Sequence, residues 1–320
     1  MNMVSGLTPL QKRLRAKAHR LSLQKSPRLT KADLITLAES GYGVRRWQSL
    51  SGGAIHHHWR IHDMRGETYV MRAASVPFLP FSHALATQAR IMKHFYEYGL
   101  PVPLPVHSLV LPSIGQTLIM KHHKGIAKRR FSKREGNEMA PHLARLLAHL
   151  HGTPPLADLP LFDPLPVSLT SQDKRLAALA SQLKATGILS GGDRVMLHGD
   201  FRTGNYLVHR QRIQSVLDFE FSALGPREAD LGWLSLPAWL YGANDRAGAG
   251  MVTLASFIAL YEQASGVAVS RQRVMAWRIA ACLRWGGIAR WQDRRLNLPA
   301  DSCEPLSPLL NQAEDWLSIL

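Results

Sequence analysis

A change of periodicity near Lys121 limits what this chain can become more than any other feature of its sequence. Before it, short runs with strand character recur: Val44–Leu50, Ile55–Ile61, Glu67–Ala73, Pro105–Leu111 and Gln116–Met120, with Gly52-Gly53 and Asp63 to Gly66 as turns. One helix precedes them and one interrupts them. One runs from Thr30, its N-cap, to Glu39 and stops at Gly41; the other covers Ser82 to Tyr98 and is broken by Gly99-Leu100-Pro101-Val102-Pro103. After Lys121 the chain turns helical: Asn137–His151 carries Leu143, Leu146, Leu147 and Leu150 on one side, Ser171–Thr186 follows a proline-rich connector, and most of the chain beyond Glu228 is helical. Only Arg194–Leu197, Tyr206–His209 and Ile213–Leu217 read as strands there. Strands gathered ahead of helices predict an α+β fold of two lobes: a small β-rich N-lobe over residues 31–121 and a larger, mostly helical C-lobe over 122–320. A basic extension, residues 1–30, precedes them. The cleft between two such lobes is a common place for a ligand site.

With 320 residues the chain can bury a large core. Its two cysteines, Cys282 and Cys303, leave no room for a disulfide framework or a cysteine-rich zinc site, so a reducing, cytoplasmic setting is expected. The longest apolar stretch, Gly248 to Tyr261, includes Thr253 and Ser256 and ends at Glu262, short of the roughly 18 to 20 residues a membrane span needs. No transmembrane segment is therefore expected, and no secretory signal pattern opens the chain. The formal charge of +16 is uneven. Met1 to Lys31 contains eight cations and no acid, and a second basic run extends from Lys121 to Arg134. Such runs attract nucleic acid, anionic membrane or anionic substrates, but they also occur as solvated faces, the simpler reading where the pattern names no partner. The first run also has the Arg-rich, acid-poor character of a transit peptide, without a cleavage site.

The segment that carries chemistry is Val195-Met-Leu-His198-Gly-Asp200-Phe-Arg-Thr-Gly-Asn205-Tyr-Leu-Val, followed by Asp218-Phe219-Glu220 at the end of the next strand. Moving a phosphoryl group to an alcohol needs a carboxylate to orient the hydroxyl and take its proton, a task that suits Asp200. It also needs oxygen ligands for a hard cation such as Mg²⁺. Asn205 can supply one, and two strands joined by a tight turn would bring Asp218 to it, with Glu220 as further support. Gly52-Gly53 between two strands permits close backbone approach to phosphates.

These residues give the chain its family likeness. His198-Gly199-Asp200 with Asn205 and Asp218-Phe219-Glu220, continued by Leu224-Gly225-Pro226 and Ala229-Asp230-Leu231-Gly232-Trp233, resembles the aminoglycoside phosphotransferase and choline kinase family, the small-molecule branch of the protein-kinase fold. Leu50 to Arg72 is similar to thiamine-kinase-like and related bacterial phosphotransferases. The likeness implies a protein-kinase-like two-lobed fold, ATP and Mg²⁺ as cofactors, and transfer of the γ-phosphate to a small-molecule hydroxyl. It places Asp200 as the catalytic residue and Asn205, Asp218 and Glu220 at the metal; Ser51, Gly52, Gly53 and Ala54 cover the phosphates, and Met120 and His122 lie at the adenine hinge.

Two departures from the family bear on activity. The phosphate-pairing lysine is replaced by Arg72, and its helix glutamate by Gln88, since no acid lies between Glu67 and Glu97. Arginine also grips phosphate, and Gln88 could orient it by a hydrogen bond. The alternative function is a non-catalytic nucleotide- or polyanion-binding kinase-like protein. In His56-His57-His58 only the first and third share a strand face, and the triplet reads as phosphate-side or surface histidines before it reads as a metal site. From Ala243 to the C-terminus arginines slightly outnumber acids, so the expected acceptor is a neutral or anionic alcohol rather than a polycation.

Overall fold

In the computed structural model, which describes residues 26–50, 56–74, 82–295 and 297–320, the chain begins with a capped helix. Thr30 and Asp33 form a capping box at the start of α1 (Lys31–Glu39). Five antiparallel strands follow, interrupted by one helix: β1 (Val44–Leu50), β2 (His56–Asp63), β3 (Thr68–Ala74), α2 (Leu85–Glu97), β4 (Pro105–Leu111) and β5 (Gly115–Lys121). The sheet order is β1-β2-β3-β5-β4.

The period-two alternation sorts this sheet into two faces. Trp59, Ile61, Tyr69, Met71, Ala73 and Ile119 bury themselves with Leu37 of α1 in a small outer core. The intervening residues Val70, Leu118 and Met120 turn to the other face and join Ile91, Met92 and Phe95 of α2 in the main core. Arg72 belongs to that inner face, and His58 stands directly opposite it on β2. One register step would have sent Arg72 to the outer core instead.

The second part of the chain is built on α3 (Lys133–Gly152). This helix starts a turn before the expected Asn137, because Ser132 and Glu135 form a capping box that satisfies the first backbone donors. Leu143 and Leu147 of α3 share the main core with Phe219, Phe257 and Tyr261. A second buried cluster unites α5 (Lys174–Ala185), which Asp173 caps, with α9 (Arg271–Arg295) and α10 (Leu306–Leu317). Between them sit α4 (Val167–Thr170), α6 (Glu228–Leu234), α7 (Pro237–Leu240) and α8 (Leu254–Ser265). At Gly232 a Cβ would lie 2.6 Å from the Trp277 carbonyl carbon, so α6 and α9 meet backbone to backbone there and only glycine fits.

Two small sheets hold the loop between the helices. β6 (Ile126–Ala127), β8 (Tyr206–His209) and β9 (Arg212–Val216) form one, and β7 (Val195–Leu197) pairs with β10 (Ala223–Gly225) in the other. The sequence pattern contained β7 to β9, but neither the two-residue β6 nor the three-residue β10. The fold is thus mixed α and β, with an antiparallel sheet ahead of a helical body. No helix among the described residues is long and apolar enough to cross a membrane.

Candidate active site

The loop after β7 is shaped by one glycine. Gly199 has φ +78°, and a Cβ there would lie 2.1 Å from the Phe221 carbonyl oxygen, so no other residue fits between His198 and Asp200. Asp230 holds the turn from below: one carboxylate oxygen accepts from the His198 N–H (2.8 Å) and the other from the Gly199 N–H (2.9 Å). Asp230 is buried beside His151, whose Nε2 lies 3.2 Å from it and whose Nδ1 lies 2.7 Å from the Tyr261 hydroxyl. Arg227 donates to that hydroxyl at 2.8 Å. Burial outweighs the pull of Asp230 and keeps His151 below its ordinary pKa, hence neutral. A neutral ring that accepts from Tyr261 must carry its proton on Nε2, where it donates to Asp230.

His198 is a strut of the loop. Its Nε2 donates to the Leu217 carbonyl (2.8 Å), its Nδ1 accepts from the Asp200 N–H (3.2 Å), and its ring packs against Phe219 with centroids 4.7 Å apart. This ties the residue two before Asp200 to the residue just before Asp218.

Asp200 is buried and held at both oxygens. Oδ1 accepts from Trp233 Nε1 (2.7 Å) and Arg202 Nε (2.9 Å), and Oδ2 accepts from the Asn205 amide (2.6 Å). Burial raises its pKa although the Arg202 charge opposes the rise, so the group binds a proton more readily than an ordinary aspartate. With its amide nitrogen committed to Asp200, Asn205 accepts nothing from the described residues on its side-chain oxygen. Its backbone carbonyl accepts from the Leu217 N–H at 2.8 Å, which brings Asn205 beside Asp218 as the sequence pattern implied.

Asp218 adopts φ +71°, a left-handed conformation that aspartate tolerates better than most residues. Arg72 reaches it from the sheet, Nη2 to Oδ1 2.7 Å, and lies 3.8 Å from Glu220. Burial would raise the Asp218 pKa, but the Arg72 charge and hydrogen bond outweigh it and hold the carboxylate below its ordinary value. Glu220 moves the opposite way, pushed well up by burial and then by the Asp218 charge. His56 completes the group with Nε2 2.9 Å from Glu220, and the ligand atoms of His56, Asp218 and Glu220 all lie within 4.8 Å of one another. Burial and the nearby Arg72 depress the His56 pKa to about 2, so the ring is neutral.

The donor set matches what a divalent cation requires. His56, Asp218 and Glu220 offer two carboxylates and one imidazole close enough together for one cation, and the carboxylate oxygens suit Mg²⁺; Asn205, whose side-chain oxygen accepts nothing from the described residues, is tied to the residue before Asp218 through its backbone. The absence of a helix acid also has an answer here. Gln88 is buried but donates to the His83 carbonyl (2.7 Å), not to Arg72, and the His83 N–H donates to the Glu220 carbonyl (2.8 Å). Gln88 therefore supports the backbone around Glu220, while Arg72 takes its position from Asp218 itself.

Of the residues singled out in the sequence, Asp200, Asn205, Asp218, Glu220 and Arg72 converge in this site. Ser51, Gly52, Gly53 and Ala54 lie outside the described residues. Met120 pairs with Val70 and Pro105 inside the sheet, and the His122 N–H donates to the Thr68 carbonyl at 3.3 Å. Sequence reasoning did not assign His56, Arg202 and Trp233 to the site. The parity of His56 with Arg72 across β2 and β3 was a usable signal for the first, while Arg202 and Trp233 stood inside the quoted motif segments without a role of their own.

The chain belongs to the phosphotransferase enzyme family, whose sequence model matches residues 46–277. Its fold is similar to a thermostable mutant of aminoglycoside phosphotransferase APH(4)-Ia in ternary complex with AMP-PNP and hygromycin B, at a TM-score of 0.66 and 15% identity over 90% of this chain and 98% of that one. A choline/ethanolamine kinase family protein from Mesorhizobium loti aligns at a TM-score of 0.61 and 15% identity, covering 85% of this chain and 88% of its own. Among curated proteins, acyl-CoA dehydrogenase family member 11 of Pongo abelii is 24% identical over 273 residues, 74% of this chain. The match covers 35% of that relative, so the chain spans about a third of its length.

Proposed function

We propose that this chain transfers the γ-phosphoryl group of ATP to a hydroxyl of a small-molecule acceptor, with Mg²⁺ as the metal. The observation that carries the reading is the convergence of a buried carboxylate with raised proton affinity, Asp200, and the Asp218–Arg72–Glu220 group that can meet a metal and phosphates. In the reaction the acceptor oxygen forms a bond to the γ-phosphorus as the bond to the ADP oxygen breaks, and the hydroxyl proton passes to Asp200. Trp233, Arg202 and Asn205 fix the carboxylate, so little reorganisation is needed when the hydroxyl arrives.

Asp218, Glu220 and the free oxygen of Asn205 would hold Mg²⁺, which when bound neutralises charge on the phosphates. Arg72 adds a permanent positive charge on the same face and can turn to a phosphate. The complexes of similarly folded proteins with AMP-PNP, and with ADP and spectinomycin, support ATP as donor and a small molecule as acceptor. The test is ADP release from magnesium-ATP against a panel of hydroxylated metabolites, with Asp200→Asn as control. A panel that elicits no acceptor-dependent ADP release beyond that control would count against the reading.

A further inference from the structure

The charges beside the catalytic loop indicate the class of acceptor. A cavity of about 300 Å³ lies there, bounded by Arg130, Tyr241, Gly242, Asp245, Arg246 and Gly250. It is joined to the loop by direct contacts. The Thr203 hydroxyl donates to the Trp239 carbonyl (2.6 Å), the Thr203 methyl lies 3.9 Å from where a Cβ at Gly250 would stand, and Arg202 covers the Trp239 ring at 4.7 Å. The wall is held in an unusual backbone: Tyr241 and Ala249, neither of them glycine, have φ +49° and +57° next to Gly242 and Gly250. Left-handed non-glycine residues concentrate where binding demands a fixed geometry.

The basic run from Lys121 to Arg134 separates into two sets. Lys121 pairs with Glu67 (2.8 Å), Lys128 with Glu135, and Arg134 with Glu138 (2.9 Å). Lys124, Arg129, Arg130 and Lys133 have no acidic partner among the described residues, and of these four Arg130 lines the cavity. Arg129 instead lies over the Tyr241 ring, 6.0 Å from its centroid, at the mouth of the cavity. Arg246 also lacks an acidic partner there, and its Nη1 donates to the Phe131 carbonyl (2.8 Å). The acids are disposed the other way. Glu262 is taken by Arg271, Glu314 by Arg175 and Asp301 by Arg290, and Asp245 is the one carboxylate among the described residues that line the cavity.

From this sorting we infer that the cavity receives the acceptor and that the acceptor is an anionic alcohol, its carboxylate or phosphate held by Arg130 and Arg246 with Arg129 at the rim. The inference rests on the phosphotransferase reading and adds the charge of the substrate to it. Guanidinium groups grip carboxylate and phosphate bidentately, whereas an acceptor with several ammonium groups would meet one carboxylate and at least two cations.

The test uses two matched series: glycerate, glycerol 3-phosphate, glycerol and ethanolamine, and gluconate, glucose 6-phosphate, glucose and glucosamine. Each compound is assayed for magnesium-ATP-dependent ADP release and, without nucleotide, for binding by calorimetry. The expected result is a kcat/KM at least about 10-fold higher for an anionic member than for its neutral analogue. Arg130→Gln and Arg246→Gln should each raise KM for that anion about 10- to 100-fold while shifting the neutral analogue far less. Arg130 is exposed, so its replacement leaves the core untouched. The carboxylate and phosphate arms decide which anion the arginines fit. Preference for a neutral or cationic member, unchanged KM in both variants, or no anion binding and no anion turnover would each overturn the inference. Anion binding that both variants abolish, without turnover of any compound, would uphold the anion site and discard the phosphotransferase reading.

Discussion

Replacing Asp230 by asparagine tests whether the catalytic loop is held as the structure describes. The substitution keeps size and shape and changes the charge and the donor and acceptor pattern. Asp230 meets donors on every side: the His198 N–H, the Gly199 N–H and the His151 ring. Burial alone would raise its pKa, yet those partners, led by His151, hold it below the ordinary value, so they outweigh the cost of burying the charge. Asparagine offers one oxygen and one NH₂, so one backbone N–H keeps its partner and the other faces a second donor. Losing a hydrogen bond to a charged group costs about 1.5–3 kcal/mol, and leaving a buried donor unpaired costs about 1–3 kcal/mol more. The sum, about 2.5–6 kcal/mol, is a large part of the roughly 5–15 kcal/mol that stabilises a typical domain. Urea unfolding followed by tryptophan fluorescence should show a lower midpoint with an unchanged slope, and acceptor phosphorylation should fall even where the variant is fully folded. A loss below about 1 kcal/mol with full activity would refute the argument, because the two backbone donors would then have found other partners.

Other consequences of the site can be measured separately. Asp200→Asn should retain nucleotide binding and lower turnover about 10²- to 10⁴-fold; near wild-type turnover on the true acceptor would remove Asp200 from its role. Asp218→Ala should weaken magnesium-ATP far more than adenosine in calorimetry, and equal losses would make the residue structural. Arg72→Ala should weaken ATP more than adenosine, with Arg72→Lys in between, whereas full activity of Arg72→Ala would mean the phosphates are balanced without it. Stability should fall on acidification through pH 6.5. The unfolded His151 takes up a proton there that the buried, neutral ring refuses, at a slope of up to about 1.4 kcal/mol per pH unit. Asp230, depressed in the folded state, adds a further loss below its ordinary value of 3.8. His151→Gln should flatten the upper part of the curve relative to wild type, and identical pH profiles for the two proteins would contradict the assignment.

Legibility in the sequence followed the range of the interactions. The strands of the sheet, the two early helices and the order His198, Asp200, Asn205, Asp218 were readable because periodicity, turn residues and loop spacing are local signals. The early start of α3 was also written locally, in Ser132 and Glu135, but the apolar stripe beginning further on drew the boundary to Asn137. What sequence could not supply was contact between distant segments. Trp233 closes the motif Ala229 to Trp233, and only the packing of α6 against the loop turns its indole N–H to Asp200. Gln88 sits where the family's acid would be, and its role changes because the His83 carbonyl lies within its reach.

The exchange of a lysine–glutamate pair for Arg72 and Gln88 follows from how the cleft distributes charge. In the arrangement that the family likeness implies, a helix acid positions the cation, and the metal carboxylate is left to the metal. Here the cation reaches Asp218 directly at 2.7 Å, with Glu220 at 3.8 Å, and so already meets two carboxylates. A third, on α2, would add negative charge to a buried group in which Glu220 is driven toward protonation. A neutral Gln88 that braces the His83–Glu220 backbone contact avoids that repulsion and still ties α2 to the site. Introducing the acid should therefore not restore a conventional pair. Gln88→Glu is expected to destabilise the fold, because its carboxylate would face the His83 carbonyl, acceptor against acceptor, in a fully buried position. A cost of about 1–3 kcal/mol in urea unfolding is the expected size. Unchanged or increased stability together with faster turnover would show that Arg72 can swing to the helix, and that its hold on Asp218 does not define the working site.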